Sequence, residues 1–107
     1  MYTVVRQMDD VKGVGMILKR NCRSIGVARK IAYENLDRTV NGYMTGVVEI
    51  YDSSKGSPFS VGELVGTVEH RPIYGGRIVW IAYYPDTGKV KARYVLSKSG
   101  NFNGSKF

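Results

Sequence analysis

Around residue 48 the chain changes its rhythm. Met44, Gly46, Val48 and Ile50 fall on one side of a period-two pattern and Thr45, Val47, Glu49 and Tyr51 on the other, which predicts a strand. Upstream the period is helical. Ile25, Ala28, Ile31, Ala32 and Leu36 form one apolar stripe behind Ser24, a residue suited to cap a helix N-terminus, while Arg29 and Lys30 face away. The helix should stop between Leu36 and Arg38, because β-branched Thr39-Val40 and the turn pair Asn41-Gly42 follow. Tyr2 to Arg6 is short, β-branched and bounded by Asp9-Asp10, which predicts a first strand. Asp10 to Arg20 reads two ways. Val11, Val14 and Leu18 recur at helical spacing behind acidic caps, but Gly13 and Gly15 each cost a helix about 1 kcal/mol relative to Ala, so a strand over Gly15 to Lys19 stays open.

The second half is β-rich. Glu63 to Glu69 alternates, with Leu64 and Val68 expected inward and Val65 and Thr67 on the reverse. Arg77 to Tyr84, a turn at Pro85-Asp86-Thr87-Gly88, and Lys89 to Ser97 make the best-specified hairpin. With Asp86-Thr87 at its tip, the register pairs Tyr84 with Lys89, Ala82 with Lys91, Trp80 with Arg93 and Ile78 with Val95. One face then holds Val79, Ile81, Tyr83, Val90, Ala92 and Tyr94, and the other displays Trp80, Tyr84, Lys89, Lys91 and Arg93. The predicted fold is α+β: a mostly antiparallel sheet of four to five strands, one well-formed helix packed on it, and a possible second short helix. The 107 residues divide into one compact domain, 1–97, and a Gly/Asn/Ser-rich tail, 98–107, with the loop 52–62 long for a hairpin.

Charge adds a partner to this outline. Sixteen Lys and Arg oppose nine acidic residues, giving +7, and from His70 to Phe107 only Asp86 offsets seven basic residues. That excess predicts an anionic partner. No apolar run approaches the roughly 18 residues that span a bilayer. The amino terminus lacks the basic, apolar and small-residue order of a secretion signal, and Cys22 is alone, so the expected compartment is the cytoplasm.

Catalytic chemistry finds few parts. His70 is the single histidine, and Glu69 beside it on a strand points to the opposite face, so a solvated strand-end histidine is expected. Asp9-Asp10 suits capping. Cys22, between Arg20 and Arg23, is expected to be a buried or half-buried thiol. One Cys and one His do not make a zinc site, and Gly13-Val14-Gly15 lacks the third glycine of a dinucleotide fingerprint. The expectation is a protein with no catalytic residues, no metal and no cofactor. The hairpin face of rings and cations suits a nucleotide or single-stranded nucleic acid, and equally an ordinary solvated sheet face. Arg20 and Arg23 beside the capped helix start form a second phosphate-binding candidate.

The segment Asn21 to Ala32, the strand Gly46 to Asp52 and the hairpin from Gly75-Gly76-Arg77 to Leu96 together resemble small phage-encoded proteins of the anti-Thoeris family of cyclic ADP-ribose sponges. That resemblance implies a non-enzymatic, oligomeric protein that sequesters a small anionic nucleotide signal in the host cytoplasm, with Arg93 as counterpart of the family's binding arginine and the site between protomers. The expected ligand-binding set is Arg93, Trp80, Tyr84, Lys91, Arg77, Arg23 and Arg20. A basic DNA- or RNA-binding module, or an inhibitor gripping a host defence protein, are the alternatives.

Overall fold

The computed structural model describes residues 1–8, 11–36, 46–55, 62–70, 75, 77–96 and 102–106. In chain order the elements are β1 (Tyr2–Met8), β2 (Val11–Cys22), α1 (Ile25–Glu34), β3 (Val47–Asp52), β4 (Glu63–His70), β5 (Ile78–Tyr83), β6 (Val90–Leu96) and β7 (Phe102–Lys106). The strands form one antiparallel sheet in the order β2-β1-β3-β4-β5-β6-β7. The α+β class is as expected and the sheet is larger. Six strands make its body and short β7 extends it, inside the stretch read as a tail.

The whole of Val11–Cys22 is strand, so the helical reading of Asp10 to Arg20 is overturned. Gly15 shows why the strand wins. It sits opposite Gln7, and a Cβ there would lie 2.0 Å from the Arg6 carbonyl oxygen, an approach of β1 to β2 that only glycine permits. One residue before the strand's end, Asn21 has a φ of 59°, a left-handed conformation that asparagine tolerates well. Ser24 then caps α1, its Oγ accepting from the Val27 N–H at 3.2 Å. The helix closes at Glu34, slightly earlier than expected, where the Asn35 side chain donates to the Ile31 carbonyl at 2.8 Å. The Asp9-Asp10 pair, Tyr43 to Thr45 and most of the loop 52–62 lie outside the described residues.

Helix α1 lies across one side of the sheet, against β1, β2, β3 and β4. Ala28 and Ala32 are fully buried, and their small side chains let the helix approach Val4, Val48, Ile50 and Val68 closely. Cys22, Tyr33, Leu36, Ile78, Trp80 and Leu96 complete this core.

The last hairpin departs from its expected register in one place. At the turn, the Tyr84 N–H donates to the Lys89 carbonyl at 2.9 Å, as expected, and Tyr83 pairs with Val90. A bulge then leaves Lys91 without a partner position, so that Ala82 pairs with Ala92, Ile81 with Arg93, Trp80 with Tyr94 and Val79 with Val95. The expected Trp80–Arg93 pair is therefore wrong, and so is the face it implied. One extra residue turns the remaining ladder over. Trp80 lies in the core under α1, 3% exposed, with the Arg29 guanidinium 5.6 Å from its ring centre. A bulge in β4 has the same effect on a smaller scale. Ile50 pairs with Gly66 but Tyr51 with Leu64, so Leu64 joins the side away from the helix while Val65 packs on the core, the reverse of the expected assignment.

Gly66 is what lets Trp80 fit, since a Cβ on Gly66 would lie 2.2 Å from the indole Cη2 and 2.7 Å from the Ile81 carbonyl oxygen. Gly66→Ala is expected to destabilise the fold by about 3 kcal/mol, at the upper end for overpacking because a backbone atom blocks relaxation. Trp80→Ala should cost about 3–5 kcal/mol through the cavity it leaves. Urea unfolding of both variants checks this; an unchanged midpoint for Gly66→Ala would refute the packing described.

Candidate functional site

The side of the sheet away from α1 is also largely buried. Across it, register places one row of residues in line: Val5 faces Glu49, Glu49 faces Thr67, Thr67 faces Ile81, and Ile81 faces Arg93. Glu69, Val79 and Val95 form the next row. At adjacent-strand spacings of about 4.8 Å, the carboxylate of one strand and the guanidinium of another stand about 14 Å apart at the backbone. On this side of the sheet lies a cavity of ≈ 180 Å³ lined by Gln7, Val47, Glu49, Leu64, Thr67, Glu69 and Tyr83.

Glu49 is the floor of this cavity and has no exposed surface. A buried carboxylate is costly unless donors surround it. The Gln7 side-chain amide donates to its Oε2 at 2.9 Å and the Tyr51 hydroxyl to its Oε1 at 3.0 Å. Burial, and then the adjacent Glu49 charge, push the Tyr51 phenol far above its ordinary range. Burial is also the main reason that the Tyr83 phenol is raised; Glu69 and Glu49 add to the shift, while the Thr67 hydroxyl and Arg93 pull it back. Thr67 is 4% exposed, and its hydroxyl lies beside the Tyr83 phenol.

The residues expected to bind ligand are dispersed. Tyr84 and Lys91 do meet, at the exposed hairpin tip, with the ammonium 5.9 Å from the ring centre. Arg93 is half-buried on the cavity side, near Tyr83. Trp80 faces the other way. Arg77 is exposed at the opposite end of β5 from Tyr84, and Arg20 and Arg23 are exposed at the far edge of the sheet, on and just after β2. His70 is buried, 5% exposed, where a solvated residue was expected, because it follows Val68 to the helix side of β4. Cys22 is buried, and burial raises its thiol against the smaller opposing pull of Lys19.

Sequence reasoning passed over Gln7, Glu49, Thr67, Glu69 and Tyr83. The available signal was Glu49, a lone carboxylate in the otherwise apolar run Val47 to Tyr51. Among the described residues no three His, Cys, Asp or Glu gather as a metal site, and no helix is long and apolar enough to cross a membrane. Comparison with family models, with curated proteins and with solved structures finds no match to this chain.

The two raised phenols make an alkaline prediction. The folded state holds protons that the unfolded chain releases near its ordinary value of 10.0, so the stability linked to Tyr51 and Tyr83 is complete below pH 10 and falls as the pH climbs past it. Urea midpoints measured on both sides of that value, with phenolate absorbance followed in parallel, should show declining stability and two late-ionising tyrosines. A flat stability profile would contradict the burial of these rings.

Proposed function

We propose that this protein is a non-enzymatic binder that captures a small nucleotide on the sheet face opposite α1, with the base in the Glu49–Thr67 cavity and phosphate drawn to Arg93. The observation that supports it is the row of aligned side chains, with a ring-sized cavity toward one end and a half-buried guanidinium at the other. Size decides how much of the ligand enters. A cavity of about 150 Å³ holds a benzene ring, and pockets for whole drug-sized ligands run from about 300 Å³ upward. At ≈ 180 Å³ this one suits a single heterocycle, leaving sugar and phosphate outside. A second protomer laid over that side would enclose them, in keeping with the oligomeric site that the resemblance to cyclic nucleotide sponges implies.

The separation of parts supports binding without turnover. His70 is on the helix side of the sheet, away from Glu49, Glu69 and Tyr83, and the Cys22 thiol is held in its protonated form by burial. Capture of a cyclic ADP-ribose-type immune signal by affinity alone needs neither group. The exposed Tyr84–Lys91 pair favours a second reading, contact with single-stranded nucleic acid at the hairpin tip.

Mass spectrometry of material released from the purified protein should show a small nucleotide, and Arg93→Ala should lose it while melting normally. Binding should also weaken little with salt, whereas a polynucleotide held by six phosphates would lose about three decades or more between 50 and 200 mM. A steep salt slope with oligonucleotides competing would replace this reading by the second. A protein that emerges with no bound nucleotide and binds none added would end it.

A further inference from the structure

The sheet ends on its longest strand. β2 runs twelve residues, and among the described residues no strand pairs with its outer edge, so a row of backbone N–H and C=O groups faces outward along it. Proteins blunt such edges with prolines, bulges and charged side chains, because the row is a template for another strand. β2 contains no proline, and the shifts in its pairing with β1 fall on either side of residues 15–17, which stay in step with Val5, Arg6 and Gln7. That run is apolar and open. Met16 is 50% exposed and Ile17 38%, the one consecutive pair among the exposed large hydrophobics of the described residues. Neighbours in a strand point to opposite faces, so each face offers an incoming strand one apolar contact.

Charge decides which kind of strand can come. β2 holds Lys12, Lys19 and Arg20 and no acidic residue, and Lys19 and Arg20 are exposed. Two copies of this chain paired edge to edge would set six cations, three from each, and no anion on one ribbon, and like charges on opposed strands are destabilising. The net charge of +7 works against the same encounter and favours an anionic partner. We infer that the β2 edge is a docking surface for an extended acidic segment of another protein, which adds to the seven-stranded sheet as a further strand. Main-chain hydrogen bonds to residues 15–17 hold that segment, its apolar side chains cover Met16 and Ile17, and its flanking carboxylates meet Lys19 and Arg20. Four strands separate β2 from β6 and its Arg93, so this surface does not depend on nucleotide capture.

Fluorescence anisotropy with labelled, end-capped peptides tests the docking. The probe reads Glu-Glu-Thr-Val-Val-Thr-Glu-Glu, acidic at both ends so that it can pair in either direction. Two relatives separate its contributions: one has Lys in place of every Glu, and the other has its central backbone amides N-methylated. The acidic probe should bind, and each relative should bind roughly 10-fold more weakly or worse, since one loses the charge match and the other its main-chain hydrogen bonds. Lys19→Glu combined with Arg20→Glu should turn the preference toward the Lys peptide. Met16→Thr combined with Ile17→Thr should weaken the acidic probe roughly fivefold through lost apolar contact. All four positions are exposed or nearly so, and melting curves confirm that both double variants fold. Amide hydrogen exchange across residues 15–17 should slow when the acidic probe is added. An N-methylated peptide that binds as well as its parent overturns strand addition, and a Lys peptide that binds as well overturns the acidic partner. A dimer in sedimentation that Met16→Thr with Ile17→Thr dissolves gives the edge to a second copy and overturns the proposal, as does an acidic probe that fails to bind.

Discussion

The fit of Trp80 against Gly66 is the constraint on which the rest of the sheet depends. The indole occupies the space that any other residue at position 66 would fill, so β4 and β5 lock in one alignment, with Val68 opposite Trp80 and Thr67 opposite Ile81. A one-residue slip would drive the ring out from under α1 and put Ile81 and Val79 in its place. Arg29 lies over the exposed edge of this arrangement and keeps its charge near an aromatic face. Because the helix side is set in this way, the opposite side is set too.

That opposite side carries the polar groups of the candidate site, and its composition is unusual for a surface that is nearly closed to solvent. Glu49 and Thr67 are buried among Val5, Val47, Val79 and Ile81. The carboxylate is sustained by donors from two different strands, Gln7 on β1 and Tyr51 on β3. Removing either donor would leave a buried anion under-solvated, a much larger loss than an ordinary surface hydrogen bond. The cavity is thus held open by a network that the fold itself requires.

Much of this was legible in the chain. Ser24 announced the helix, the stripe from Ile25 to Leu36 gave its buried face, and the alternation from Val47 to Tyr51 assigned both sides of β3 correctly. What escaped were features without a local signature. The bulge at Lys91 sits in a strand whose period-two pattern continues on either side of it, and only the contact between Trp80 and Gly66 selects it. Val11–Cys22 has apolar spacing that fits a helix, and its decision rests on β1 coming within reach of Gly15. The site was missed for a related reason: Gln7, Glu49, Thr67 and Tyr83 are far apart in sequence, and only the register of four strands brings them together.

The bulge in β6 has a consequence for how such a chain can diverge. Lys91 occupies an exposed position skipped by the pairing with β5, and its ammonium stands over the ring of Tyr84. Its identity is therefore nearly free to drift, and so is its presence. Losing it would close the bulge into an unbroken ladder with Ala92 still opposite Ala82 and Arg93 still opposite Ile81. Descendants of this sequence should accept many letters at position 91, and its deletion as well, while the residues on either side of it hold Arg93 on the cavity side and Tyr94 under the helix.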